Sequence, residues 1–404
     1  MSTALLYHSF GIRGYQHVRT RYEGGQTVFS IRQEPGELRC PRCQGRELIR
    51  RGTFPRRFRS LPIGGRRVWI ELPVPRVECR CCRRVVQQVR IGFASERRSY
   101  TRSFERYAVD LCRHMTIQDV AHHLGVSWDV VKDLHKRHLG RRFRNPNLTG
   151  LTHIAMDEIC VGHGPRFLTI VLNLRTGAVI FVGPGKGKEA LDPFWKRLGG
   201  RKKTIKAVAI DMANSYLSAV WEHLPQAAVV FDRFHVIKLY NEKLSDLRRQ
   251  VQNGAEAMAK QVLKGTRWLL LKNPENLEDR KNERQRLEEA LRLNQPLATA
   301  YYLKEDLRQF WEQVDKAAAR RFLRDWIARA EASGITVLKK FARILRLREF
   351  GLLAWYDHPI STGPLEGTNN KIKTLQRRAY GFRDQQYFTL RIYALHDTKY
   401  ALVG

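Results

Sequence analysis

The 404-residue chain has no apolar run approaching the length of a membrane-spanning helix, which takes about 20 residues. Its first residues, Met-Ser-Thr-Ala-Leu-Leu-Tyr-His-Ser, lack a continuous apolar core of signal-peptide length. Both absences point to a soluble intracellular protein with no membrane partner. There is no convincing internal repeat and no long low-complexity segment. Acidic residues are scarce: 39 Asp and Glu stand against 73 Lys and Arg, a formal net charge of +34. The excess runs from end to end and favours a polyanion, with nucleic acid first and an anionic membrane surface second. Cysteine is sparse as well. The seven form an odd set, and five of them lie between Cys40 and Cys82. In a reducing compartment that clustering points to metal and away from disulfides.

The chain is long enough for several domains with real cores. Residues 1–35 show no clear period and read as an N-terminal arm. The segment 36–92 reads as short strands. Val68, Ile70 and Leu72 alternate after the Gly64-Gly65 turn signal, which is the pattern of a hairpin. It holds two cysteine knuckles, Cys40-Pro-Arg-Cys43 and Cys79-Arg-Cys81-Cys82. Zinc takes four thiolate or imidazole ligands in a tetrahedron, and paired knuckles supply two each. Cys40, Cys43, Cys79 and Cys82 fit a structural zinc site. Cys81 is spare and able to replace Cys79 or Cys82. Arg50, Arg51, Arg56, Arg57, Arg59, Arg66 and Arg67 surround the knuckles, either as a phosphate-binding face or as an ordinary solvated one.

From 95 to 145 the period turns helical. In Thr116-Ile-Gln-Asp-Val-Ala-His-His-Leu-Gly-Val-Ser-Trp-Asp-Val-Val-Lys, Ala121 is small where two helices approach closely. Gly125 lies at a turn, Ser127 is a natural N-cap, and Val131 returns to the core. This is helix-turn-helix spacing, with the second helix expected in the DNA major groove. Trp128, Lys132, His135, Lys136 and Arg137 are expected on or near its exposed side. The alternative is a plain helical hairpin.

After a Pro/Asn/Gly linker at 145–150, strand-like runs appear at His153–Val161, Phe167–Leu174 and Ala178–Val182. Two further strands, Ala207–Ile210 and Ala227–Phe231, alternate with helices. Hairpin order followed by alternation predicts a mixed α/β sheet. Residues 239–352 read as almost wholly helical and highly charged. Residues 353–404 return as one or two helices.

Asp157 and Asp211 each follow an apolar, β-branched run, and Glu366 opens a polar helix. A trio of this kind can hold two divalent cations, Mg2+ or Mn2+, against a phosphodiester. Glu158 is the alternative to Asp157, but strand alternation turns the two side chains to opposite faces. Any one of these carboxylates alone reads more simply as a strand-end or helix-start residue.

The order of features narrows the reading. A cysteine ribbon and helix-turn-helix precede Asp157, Asp211, Asp232-Arg-Phe-His235, a long helical segment and Glu366-Gly-Thr-Asn-Asn-Lys-Ile-Lys373. This resembles, over nearly the whole chain, the bacterial insertion-sequence DDE transposases of the ISL3 family. The resemblance implies a multidomain α/β protein: a zinc ribbon, a helix-turn-helix, and a ribonuclease-H-like core (150–238 and 353–404) interrupted by a helical insertion. It implies that Asp157, Asp211 and Glu366 are catalytic. Asp232 and His235 would support them. On a helix starting near Glu366, Asn369, Asn370, Lys373 and Arg377 fall near the same face, with Asn370 and Lys373 as supporting residues, Lys373 as a phosphate contact, and Arg377 toward DNA. It further implies binding to double-stranded DNA at terminal inverted repeats and target, metal-dependent cleavage and joining, and a homo-oligomer on DNA. The location implied is the prokaryotic cytoplasm, at the nucleoid. A non-enzymatic DNA-binding regulator and a nuclease without joining activity remain as rivals.

Overall fold

The computed structural model describes residues 3–82, 84–162, 164, 166–254, 262–264 and 266–395. The chain divides into two compact units, Met1–Arg142 and Phe143–Gly404.

In the first unit, helix α1 (Thr3–Phe10) leads into strands β1 (Tyr15–Glu23), β2 (Gln26–Gln33), β3 (Leu48–Ile63), β4 (Arg66–Cys79) and β5 (Arg84–Gln88). They form one sheet in the order β1-β2-β4-β3, with β5 also on β4. β2 runs parallel to β4, from Thr27 opposite Val68 to Ser30 opposite Glu71. The segment expected as an arm is therefore the other half of the ribbon's sheet. Its period was hidden because β1 is largely exposed, while β2 buries Val28, Phe29 and Ile31 in a nearly continuous run. The expected β3–β4 hairpin turns at Gly64-Gly65, both at positive φ. Val68, Ile70 and Leu72 enter a core with Phe10, Phe29 and Phe58.

Helices α2 (Arg102–Leu111), α3 (Ile117–Leu124) and α4 (Trp128–Phe143) follow. α3 starts with a capping box: Asp119 N–H donates to Thr116 Oγ1 at 3.1 Å, and Thr116 N–H to Asp119 Oδ2 at 3.3 Å. It ends at Gly125 with φ +61°, a left-handed conformation that glycine takes at least cost. A Cβ there would also stand 2.3 Å from Arg67 Nη2. Ser127 Oγ caps α4 by accepting from Val130 N–H at 3.4 Å. Ala121 and Val131 are buried with Phe104, Val120 and Leu134. Beneath the turn, Arg59 Nη2 donates to the Leu124 carbonyl at 2.9 Å.

The second unit is built on strands β6 (His153–Cys160), β7 (Phe167–Asn173), β8 (Val179–Pro184), β9 (Ala207–Ile210) and β10 (Ala228–Phe231). The sheet order is β10-β9-β6-β7-β8. β6, β7 and β8 are antiparallel neighbours, whereas β9 and β10 run parallel to β6. This is the ribonuclease-H-like mixed sheet. Helices α5 (Asp192–Leu198) and α6 (Asn214–His223) cross between the later strands.

Helix α7 (Arg233–Gly254) leaves β10 almost at once. The boundary expected at 238/239 falls inside this helix. His235 at its start belongs to the sheet end, and Tyr240 little more than a turn later belongs to the helical insertion. The insertion continues through α8 (Arg267–Leu271), α9 (Glu283–Arg292), α10 (Gln295–Arg308), α11 (Lys316–Ala332), α12 (Thr336–Leu347) and α13 (Glu349–Leu353). Its centre is aromatic. Tyr240, Trp326 and Phe341 meet edge to face at 5.0–6.0 Å. The polar handles are satisfied: Tyr240 Oη donates to the Ala300 carbonyl and Trp326 Nε1 to that of Leu303. α13 returns to the sheet, where a Cβ on Gly351 would stand 2.5 Å from the Phe231 ring. Helices α14 (Gly363–Arg378) and α15 (Gln385–Tyr393) close the unit. Residues 396–404 of the expected final segment lie outside the described residues.

Candidate active site

Strand alternation decides which carboxylates face one another. Along β6, Ala155 and Ile159 pack with Leu365, Ile372 and Leu375 of α14. Ile154 and Met156 pack on the opposite side with Trp195 and Tyr216. Asp157 therefore faces α14, and Glu158 faces away. Glu158 pairs across the sheet with Thr169, whose hydroxyl lies 3.2 Å from Tyr216 Oη.

The parallel register pairs Ala155 with Ala209, and Phe231 with Ile210. Two residues further on, Asp157 comes level with Asp211, and Asp232 follows on the next strand. Adjacent strands are about 4.8 Å apart, so three acids line one end of the sheet. Asp211 Oδ1 accepts from Ala213 N–H at 3.0 Å, which turns the chain into α6. Arg348 holds that loop from the insertion, donating to Asn214 Oδ1 and to the Met212 carbonyl. Nothing but its charge marked Arg348 in the sequence.

Asp157 is half-buried. Burial is the largest effect on its carboxyl, pushing the pKa up to about 6. The His235 charge and the Glu158 N–H oppose the rise, and the Glu158 and Asp211 charges add to it. A carboxylate in this position is relieved by a cation. Among the described residues, however, the only group of three or more His, Cys, Asp or Glu with all ligand atoms within 4.8 Å is the cysteine cluster. The carboxylates are more widely set, as acids flanking two ions about 3.5–4 Å apart can be.

Asp232 has a different situation. It is 3% exposed, and both oxygens accept backbone N–H groups: Oδ2 from Phe234 at 3.1 Å and Oδ1 from Thr362 at 3.0 Å. The first bond starts α7. The second ties down the residue before α14, the helix carrying Glu366. Each such charge-assisted bond contributes about 1.5–3 kcal/mol. Asp232 is thus a clasp between two helix starts. His235, on the first turn of α7, stands close enough to act on the Asp157 carboxyl.

α14 begins with Pro364 in its first turn and buries Leu365, Asn369, Ile372 and Leu375. Glu366 is exposed, three residues before Asn369, and so a surface neighbour of it. Asn369 Nδ2 donates to Asp157 Oδ2 at 2.9 Å. The expected supporting residue was Asn370, which is exposed, as are Lys373 and Arg377. Asn369 is the amide that touches Asp157. Its signal in the sequence was a polar residue on an otherwise apolar helical stripe. Its Oδ1 is buried with no partner. An unmatched acceptor beside an all-oxygen acid set fits a hard divalent cation.

In the first unit, Cys40, Cys43, Cys79 and Cys82 bring their sulfurs within 4.8 Å of one another. Cys43 and Cys79 are 3.6 Å apart, and Cys40 and Cys82 4.0 Å. A zinc ion with Zn–S bonds of about 2.3 Å sets sulfurs about 3.8 Å apart. Cys82, not Cys81, completes the set. Backbone N–H donation, first from Cys43, brings the Cys40 thiol down to about 7. Hydrogen bonding to Cys43, burial and the other thiols push Cys82 up to about 12. Four sulfurs at this spacing suit one tetrahedral divalent cation, and the cluster is a structural zinc site.

On α4, Trp128 is 42% exposed and Lys132 Nζ lies over its ring at 5.1 Å. Lys136 is half-exposed. His135 departs from its expected place. It is 6% exposed, because position 135 follows Val131 and Leu134 on the helix's inner face. Arg137 is held inside the unit by Tyr100 Oη at 3.2 Å, Asp133 at 3.3 Å and Glu105 at 3.5 Å.

Comparison with known proteins identifies the family. Residues 154–392 match the transposase profile of the DDE ISL3 group. Residues 89–139 match the helix-turn-helix domain of transposase family ISL3. Residues 37–82 match the zinc finger of the IS204/IS1001/IS1096/IS1165 transposases. The chain belongs to the ISL3 family of DDE transposases, DNA-binding enzymes that cut and join strands. It is 35% identical over 387 residues to the transposase for insertion sequence element IS1001 of Bordetella parapertussis, covering 94% of each chain. It is 30% identical over 392 residues to the transposase for IS1557 of Mycobacterium tuberculosis, covering 90% of this chain and 87% of that one. Among solved structures it is similar to the Drosophila P element transposase strand transfer complex, with 12% identity and a TM-score of 0.39 over 72% of this chain and 91% of the other. Among the described residues, no helix is long and apolar enough to cross a membrane.

Proposed function

We propose that Asp157, Asp211 and Glu366 are the catalytic acids and hold two divalent cations, Mg2+ or Mn2+, against a DNA phosphodiester at the ends of the chain's own insertion element. The observation that carries this reading is the Asn369–Asp157 hydrogen bond. It binds the Glu366 helix to the strand whose carboxylate stands level with Asp211. Cations held there supply activation of the attacking oxygen and stabilisation of charge at phosphorus. The side chains hold and orient. Asp232 fixes the start of the Glu366 helix, and His235 stands beside Asp157 at the start of α7. Lys373 and Arg377, exposed further along α14, offer positive charge to the DNA backbone.

Two reactions follow on this site. Water attacks phosphorus at the element end; a new P–O bond forms, the bond to the bridging 3′ oxygen breaks, and that oxygen leaves as a 3′-hydroxyl. The hydroxyl then attacks a phosphodiester in target DNA and releases a target 3′-hydroxyl, so the number of P–O bonds is conserved. No covalent protein–DNA intermediate is needed. The zinc ribbon and helix-turn-helix select the terminal inverted repeats, with Trp128, Lys132 and Lys136 toward the DNA. Joining two ends calls for at least two subunits on DNA, in the nucleoid of a prokaryotic cell.

The test is a labelled duplex carrying an element end, incubated with protein and Mg2+, Mn2+ or chelator. Wild type should cut and join only with metal. Asp157→Asn, Asp211→Asn and Glu366→Gln should fall to background while still binding the duplex. Cutting retained in any of the three removes that residue from the acids. Tight binding without strand chemistry favours the regulator, and cutting without joining the nuclease.

A further inference from the structure

The buried stripe of α14 reads Leu365, Asn369, Ile372, Leu375. Three are apolar; the fourth is an amide only 8% exposed. A core position on a helix ordinarily takes a polar group only when its hydrogen bonds are met. Asn369 meets half of that requirement. Nδ2 donates to Asp157 Oδ2 at 2.9 Å, and Oδ1 is buried with no partner.

The orientation of the amide follows from its neighbour. An ionised carboxylate accepts and never donates, so the NH2 group must face Asp157 and the oxygen must point elsewhere. Oδ1 shares a carbon with Nδ2 and therefore stands within about 5 Å of Asp157 Oδ2. Asp232, in the same row of acids, has each oxygen occupied by a backbone N–H. Asp157 Oδ1 takes one N–H, from Glu158 at 2.8 Å, and Asp211 Oδ1 one, from Ala213. Asp157 Oδ2 takes the Asn369 amide, so Asp157 too has one donor on each oxygen. Each carboxylate oxygen has a second lone pair, so Asp157 and Asp211 still have room for a cation, and Asn369 adds a neutral oxygen beside them.

We propose that Asn369 is a direct ligand of the divalent cation held by Asp157. Nδ2 sets the rotamer of the carboxylate, and Oδ1 binds the same ion. Carbonyl oxygens of Asn suit hard cations. A neutral donor also raises the ligand number without adding charge where Asp157 and Asp211 already repel. The assignment rests on the cation-binding reading of the carboxylates given above.

The test is Mn2+ binding to the zinc-loaded full chain without DNA, followed by calorimetry and by the Mn2+ electron paramagnetic resonance signal. Variants are Asn369→Leu, Asn369→Asp and Asp157→Asn, each with a melting curve of the zinc-loaded chain without added Mn2+. Leucine suits the stripe and removes both amide functions. Aspartate keeps an oxygen ligand and loses the NH2 donor. Asn369→Leu should bind Mn2+ roughly 10–100-fold more weakly while melting no lower than wild type without added Mn2+. Asn369→Asp should bind at least as tightly as wild type. Wild-type affinity in Asn369→Leu overturns the assignment. Equal weakening in both variants also overturns it, because only the donor to Asp157 would then matter. If wild type and Asp157→Asn bind Mn2+ alike, the carboxylate reading fails with it, a result distinct from failure at Asn369 alone.

Discussion

The cysteine cluster and the carboxylate site are opposite solutions to holding a metal. The four sulfurs come from one stretch, Cys40 to Cys82, and lie within 4.8 Å of one another. Their spacing suits one ion, with all four positions of a tetrahedron supplied by the chain. The acids come from β6, the end of β9 and α14, and do not close to that spacing. They leave Asp157 and Asp211 with spare acceptor capacity and Asn369 Oδ1 unmatched. A closed set fixes a fold; an open set leaves room for water and substrate phosphate. Stability should therefore depend on one metal and reactivity on the other.

Metal removal is the strongest way to break this comparison. Structural zinc in small finger peptides contributes an apparent ~10–16 kcal/mol to folding. Stripping zinc, or replacing Cys40 with Ser, should unfold the knuckles and abolish sequence-selective DNA binding. A milder chelation that removes only Mg2+ or Mn2+ should stop strand chemistry and leave the melting curve of the first unit unchanged. Nuclear magnetic resonance of the first unit's amides, read through both titrations, separates the two. A first unit that stays folded with zinc gone would make the cluster dispensable.

Asp232 sharpens the contrast, because it sits in the acid row with both oxygens turned to backbone N–H groups. Asp232→Ala leaves the N–H groups of Phe234 and Thr362 unmatched, at about 1–3 kcal/mol each. We expect a loss of about 2–5 kcal/mol in chemical denaturation of the full chain. Mn2+ affinity should fall only as far as the Glu366 helix loosens. Asp232→Asn keeps one acceptor oxygen and should lie between. Full stability with abolished Mn2+ binding would instead make Asp232 a ligand.

The two sites were not equally legible in the sequence. Cysteines are rare and their knuckles local, so spacing alone named four ligands, and only the choice between Cys81 and Cys82 needed three dimensions. Strand alternation separated Asp157 from Glu158 for the same local reason. The rest depended on long-range pairing. No periodicity told that β2 pairs with β4 and brings β1 into the sheet with it, since β2 joins through a parallel neighbour distant in sequence. His135 looked like a surface residue because it sits among charges, although Val131 and Leu134 already marked the buried face. Asn370 and Asn369 are adjacent and chemically identical. Only the apolar stripe of Leu365, Ile372 and Leu375 tells which of them faces the sheet. The role of Asp232 was out of reach, because its partner Thr362 lies far along the chain and offers only a backbone N–H.

Proton competition gives the finest comparison and the smallest effect. Burial holds the Asp157 carboxyl up to about 6, and a cation binds only the ionised form. Below that pH the proton competes, and Mn2+ affinity should fall by up to about tenfold per pH unit. Above it, this group contributes no further rise. Asp157→Asn should lose this limb. The zinc site should behave differently, since several thiols must give up protons and Cys82 holds its own up to about 12 without metal. Its affinity should rise more steeply and go on rising past neutral pH. Calorimetry of both metals between pH 5 and 8 reads the two slopes on one protein. A Mn2+ profile that is flat from 5 to 8, or unchanged by Asp157→Asn, would mean that the proton at Asp157 and the cation do not share a site.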